Sequence, residues 1–132
     1  MKYLQGLMII EKNNLMPIGR EIKYGWNKIR AHSRRTETME HYLGKAIVGK
    51  LILQQGDGMI TEHEFQNCQK ADVLQLKMKD KSVTAYQIHH THLDPEINVK
   101  GIGTIWIDIN KAPQEVKDSF DTLEKYFRRF IV

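Results

Sequence analysis

Between Val73 and Ile109 the hydrophobic period is two, and a chain that alternates over such a stretch is committed to building a sheet. Leu74, Leu76 and Met78 alternate with Gln75, Lys77 and Lys79. A second run starts at Val83, and Ile105, Ile107 and Ile109 give the apolar side of a third, with Trp106 opposite. The reading is three successive strands at about 73–79, 83–92 and 101–109, paired antiparallel. With Asp80-Lys81-Ser82 as a hairpin loop, Leu74 faces Ile88, Leu76 faces Tyr86 and Met78 faces Thr84. This register gathers the apolar residues on one side and separates His89 from His90. Leu93-Asp94-Pro95-Glu96 ends the second strand, and Gly101 and Gly103 open the third.

A sheet with an apolar face needs helices to cover it. Met39, Leu43, Ile47 and Leu51 recur at a spacing of four behind Thr36, an N-cap residue type, and Gly56-Asp57-Gly58 stops the run. This predicts a central core helix over about 37–55. Val116, Phe120, Leu123, Phe127 and Phe130 follow Pro113 with helical spacing and predict a C-terminal helix over about 113–131. On its outer face Asp121 precedes Lys125, and Glu124 precedes Arg128, by four residues. Ile18, Ile22, Trp26 and Ile29 predict a further helix from about Met16 to His32. Thr61 with Glu64 has capping-box spacing and predicts a short helix through Phe65 and Cys68. The apolar run ending at Ile10 fits a strand or a helical turn equally well. The expected fold is a single α+β domain spanning all 132 residues, an antiparallel sheet of three or more strands covered on one face by the central and C-terminal helices.

With 41% hydrophobic and 27% charged residues, the chain is neither disordered nor fibrous in composition. It has no apolar run near the roughly 20 residues that cross a bilayer, and Met1-Lys2-Tyr3-Leu4-Gln5 begins no signal peptide, so a cytoplasmic protein is expected. Cys68 is the only cysteine, which rules out an intramolecular disulfide and a four-cysteine zinc site. It reads as a small core residue.

Two features rise above this baseline. The first is the segment Arg20 to Arg35, where Arg20, Lys23, Lys28, Arg30, Arg34 and Arg35 stand against one acid, Glu21. Cations spaced along one segment and its exit can meet successive phosphates with little sequence preference. A solvated helix face is the plainer reading of the same residues. The second is His89-His90-Thr91-His92-Leu93-Asp94. His90 and His92 lie two apart on one strand and point the same way, so with Asp94 they can hold a divalent cation. Ordinary packed or hydrogen-bonded strand histidines are the plainer alternative here, and His41, on the core helix, reads as a satisfied core histidine.

His90-Thr91-His92 with Tyr126 faintly resembles the histidine-hydrophobe-histidine single-strand endonucleases, although Thr91 replaces the apolar middle residue. His89-His90 with Asn110 faintly resembles the ββα-metal nucleases, although no histidine follows His92. Neither family is assigned on these patches.

The leading functional expectation is a small non-catalytic nucleic-acid-binding or regulatory protein using the six basic residues. The alternatives are a metal-dependent nuclease or phosphodiesterase centred on His90, His92 and Asp94, and an adaptor or inhibitor that meets an acidic protein surface or a small nucleotide. A divalent metal is the one cofactor considered. A homodimer is one way to cover the apolar side of the first ten residues.

Overall fold

The computed structural model describes residues 2–13, 15, 27–30, 38–89, 94–113 and 119–132. They form helix α1 (Lys2–Lys12), helix α2 (Met39–Gln54), strands β1 (Gly58–Glu64), β2 (Lys70–Leu76), β3 (Val83–His89) and β4 (Ile102–Asp108), a 3-10 turn (Ile109–Lys111) and helix α3 (Phe120–Arg128). The strands lie in the order β1-β2-β3-β4. The α+β class and the central and C-terminal helices are as the sequence predicts.

The sheet is mixed. β1 and β3 each run antiparallel to β2, whereas β4 runs parallel to β3, with Val83 opposite Ile102 and His89 opposite Asp108. A parallel neighbour needs a crossover of about a dozen residues, and residues 90–101 supply that length. β2 and β3 are central and buried almost throughout, as strands covered on both faces must be. Ile47, Val48, Leu51 and Ile52 of α2, with Leu123 and Phe127 of α3, pack on Val73, Tyr86, Ile88 and Ile107. On the opposite face Ile9 and Ile10 of α1 pack with Ile60, Leu74, Leu76 and Ala85. The run ending at Ile10 is therefore a helix, and it completes a third layer.

Three local expectations are corrected. Thr61 to Glu64 is strand, since the Thr61 hydroxyl donates to the Lys28 carbonyl at 2.8 Å and accepts from the Arg30 amide at 2.7 Å instead of capping a helix. Cys68 is exposed at a turn with φ +68, outside the core. The β2–β3 turn occupies 77–82, with Lys81 at φ +59, so Leu74 faces Ala85, Leu76 faces Val83, and Val73 faces Tyr86. An odd shift moves side chains to the other face. Tyr86 and Ile88 consequently lie under α2, while Leu74 and Leu76 lie under α1.

The cap of α2 is Thr38, whose hydroxyl accepts from the His41 amide at 3.1 Å; Thr36 is outside the described residues. Gly56, at φ +89, follows the helix end. A side chain at Gly44 would begin 2.9 Å from Ile88 and 3.2 Å from Ile109, so glycine lets α2 approach the sheet closely. Of the helix expected from Met16 to His32, residues 27–30 are described, and they are not helical. α3 is shorter than expected: Phe120 is its first residue, Pro113 is not helical, and residues 114–118 are not described. Among the described residues no helix is long and apolar enough to cross a membrane.

Candidate metal centre

Helix α2 is nearly apolar on its inner side, and two of the exceptions are ionisable. His41 and Lys45 are one turn apart and both buried, Lys45 completely. Each meets an acid on the sheet. His41 Nε2 lies 3.2 Å from Asp72 Oδ2 on β2, and Lys45 Nζ lies 3.4 Å from Glu62 Oε2 on β1. Burying charges costs several kcal/mol per ion unless they are paired, so four such side chains at one helix–sheet contact require a specific arrangement.

The backbone provides it. Glu62 has φ +52, a left-handed conformation that a residue with a side chain rarely adopts, between the ladder pairs Thr61–Val73 and His63–Ala71. The regular β2–β3 ladder stops at Val73, and beyond it the Asp72 carboxylate accepts from the Ile88 amide at 2.7 Å while the Asp72 amide donates to Gln87 Oε1 at 3.0 Å. Buried Gln87 also donates to the Lys70 carbonyl at 3.1 Å and the Pro95 carbonyl at 3.3 Å, drawing the chain after β3 toward Asp72. Asp94 is reached this way, and Trp106 Nε1 donates to its carbonyl at 2.9 Å.

His41, Asp72 and Asp94 each present one ligand atom, all within 4.8 Å of one another. Atoms about 2.0–2.5 Å from a single ion are at most about 4–5 Å apart, so the set is compatible with one cation. One imidazole with two carboxylates suits zinc, manganese or a similar divalent ion and leaves coordination positions over. Lys45 and Glu62 lie one helical turn along the same contact.

Of the residues expected from sequence to bind metal, Asp94 is in this group, whereas His90 and His92 are outside the described residues. His89 lies with Nδ1 3.5 Å from Asp108 Oδ2. Of the basic residues, Lys28 is exposed and Arg30 half-buried, and Arg20, Lys23, Arg34 and Arg35 are outside the described residues. The Arg30 carbonyl accepts from Lys45 Nζ, which brings this residue of the basic segment against the buried pair. Tyr126 donates its hydroxyl to the Asp108 carbonyl at 3.0 Å, and burial holds its pKa above the usual tyrosine range. His41 is buried, as expected of a core histidine, and its imidazole also falls within the candidate group. Lys45, Glu62 and Asp72 were not singled out by the sequence reading. The signal available for them is ionisable residues placed inside apolar runs, with His41 and Lys45 at helical spacing.

No protein-family model matches the chain, and no curated protein or solved structure matches it.

Proposed function

We propose that the protein is a divalent-metal-dependent phosphodiesterase acting on nucleic acid. The observation that carries this reading is the convergence of His41, Asp72 and Asp94 from a helix, a strand and a loop to within 4.8 Å, beside the buried Lys45–Glu62 pair. With His41, Asp72 and Asp94 as its ligands, a cation held here would keep positions open, and it would supply an activated water and offset charge on a phosphate. In the hydrolysis, a water oxygen bonds to phosphorus, the P–O bond to one sugar oxygen breaks, and the proton lost by water ends on the released hydroxyl. Asp72 is held for this role by the Ile88 amide, and Asp94 by the Trp106 indole. Lys45 balances the charge of Glu62 next to the two ligand carboxylates.

Nucleic acid is favoured as the phosphodiester because two residues of the basic segment are tied to this helix–sheet contact through their backbone, the Arg30 carbonyl accepting from Lys45 and the Lys28 carbonyl from Thr61. The test is calorimetric titration of the full chain with Mn²⁺ and Zn²⁺, together with cleavage of end-labelled DNA and RNA. One ion per chain, metal-dependent cleavage, and loss of both in Asp72→Asn are expected. No ion bound by the folded protein, or full cleavage by His41→Ala, would remove the proposal. Lys28 and Arg30 also support a second reading, a non-catalytic nucleic-acid-binding protein, and salt-sensitive binding without metal binding or cleavage would select it.

A further inference from the structure

Next to the candidate metal centre, at the ends of β3 and β4, is a separate cavity of about 220 Å³. We infer that this cavity, bounded by His89, Trp106, Asp108, Lys111, Tyr126 and Phe130, is a subsite for one unpaired nucleobase of a single-stranded nucleic acid. The inference deepens the proposed function and rests on it for the position of the scissile phosphate.

The lining selects the ligand. Pockets for drug-sized molecules run to about 300–1,000 Å³, so this one suits a single ring system. Its walls include three aromatic rings; Tyr126 and Phe130 stand edge to face at 5.5 Å, and Trp106 is 41% exposed. Aromatic rings stack any base, which makes such a pocket tolerant of sequence. Its polar side combines a cation, Lys111, with the His89–Asp108 pair. Asp108 is fixed: Oδ1 accepts from the Asn110 amide at 2.9 Å, and its carbonyl accepts from the Tyr126 hydroxyl at 3.0 Å. Oδ2 is thus directed to His89. A hydrocarbon ligand would leave these groups without use, and a simple anion would meet the Asp108 carboxylate. A nucleobase offers flat faces to the rings and hydrogen-bonding edges to the pair, with its phosphate available to Lys111.

Two contacts connect residues at this cavity to the candidate metal centre. Trp106 donates to the backbone of Asp94, and His89 follows Ile88, whose amide donates to Asp72. Trp106 thus joins the two, lining the pocket and bonding the backbone of Asp94. Duplex DNA keeps its bases stacked and cannot supply one without unpairing it.

The experiment uses the full chain carrying Trp26→Phe, in which Trp106 is the sole indole, titrated in EDTA with short single-stranded oligonucleotides, abasic strands of equal length, and duplexes. Quenching of Trp106 by single strands, with little by abasic strands or duplexes, is expected. In the chain that keeps Trp26, Trp106→Ala should weaken single-strand binding measured by anisotropy roughly 5- to 150-fold, and Trp106→Phe should restore much of it. Equal quenching by abasic strands, or unchanged affinity in Trp106→Ala, would eliminate the subsite. A parallel Mn²⁺ titration separates the two proposals: base-dependent quenching without metal binding keeps the pocket and removes the phosphodiesterase. Metal-dependent cleavage without quenching does the reverse.

Discussion

The two ends of α2 bury polar side chains in opposite ways. Beyond its C-terminus the polar groups are mostly neutral and close on each other: Tyr86 donates its hydroxyl to Gln75 at 2.7 Å, and Gln75 donates to Asp57 at 2.9 Å and to the Val132 carbonyl at 3.0 Å. The Val132 amide donates back to the Tyr86 hydroxyl at 3.1 Å. This network ties the end of the chain to the sheet and asks for no further partner. At the N-terminal end of α2, among the described residues, the acids Glu62, Asp72 and Asp94 gather with Lys45 and His41. His41, Asp72 and Asp94 bring one ligand atom each to within 4.8 Å, a spacing that one bound cation could span. One end therefore reads as structure and the other as the candidate site.

The largest expected effect tests that division directly. Asp72→Asn keeps an acceptor for the Ile88 amide but removes the ligand charge, so metal-dependent cleavage should fall by more than roughly the 100-fold that loss of a mere outer-sphere partner can cost. Metal-free stability should stay within about 1 kcal/mol, since a polar isostere remains hydrogen-bonded. Cleavage rates and metal-free urea melts on the same preparation measure both. A large loss of stability in Asp72→Asn would make the acidic end structural too and erase the contrast.

Lys45→Met should act on stability. Removing one partner of a buried pair typically costs about 3–5 kcal/mol, because the other charge is left uncompensated. The double variant Lys45→Met with Glu62→Leu should recover most of it if the pair supports the fold alone. In that variant metal binding should still drop severalfold or more if Glu62 contributes field to the ligand carboxylates. Denaturant melts of the single and double variants, with Mn²⁺ titration of the double, separate the contributions.

How much of this was legible in the sequence follows from range. Period two marked β3 and the apolar stripe marked α2, because both signals are local. The parallel placement of β4 was not legible: it depends on a crossover, and nothing in Ile105, Ile107 and Ile109 encodes strand direction. Thr61 and Glu64 misled because capping-box spacing also occurs by chance in an alternating strand, and the partners of Thr61 are more than thirty residues away. The site suffered the same limit. A string of adjacent histidines attracts attention, whereas His41, Asp72 and Asp94 come from three separate elements and only the fold brings them together. Asp94 is named from the sequence because it belongs to the string.

Tyr86→Phe probes the neutral end and should have a smaller effect. It removes the donor to Gln75 and the acceptor for Val132, and a buried group left unsatisfied costs about 1–3 kcal/mol. Cleavage by the folded variant should be unchanged. The network also has an alkaline signature: burial raises the Tyr86 pKa above its ordinary value of about 10, as does the Asp57 charge. Above that value the unfolded chain releases the proton first, so the contribution is complete below about pH 10 and declines as pH rises through the folded value. The stability gap between the parent chain and Tyr86→Phe should narrow over that interval in urea melts. A gap that widens would place the ionised phenol in the native network.

The smallest effect belongs to the rim joining α2 and α3, where Glu124 is shared by two cations: Lys50 at 2.9 Å, across the helices, and Arg128 at 2.9 Å, one turn on. Lys50's hydrogen bond is the main cause holding the Glu124 pKa below its ordinary value of about 4.5, with both positive charges acting the same way. The unfolded chain then takes up the proton first as pH falls. Stability from this group is therefore full above about pH 4.5 and is lost as pH descends through the folded value. Glu124→Gln should lower the melting temperature slightly near neutrality, and the difference should close in acid. Added salt should close it as well, because Lys50 and Arg128 are largely exposed and their charges are screened. The buried Lys45–Glu62 pair should respond much less to salt, so the two variants measured at 0.05 and 0.5 M NaCl test burial at the site against exposure at the rim. Equal salt sensitivity at both would show that water reaches Lys45 and Glu62 and that the charged end of α2 is open to solvent.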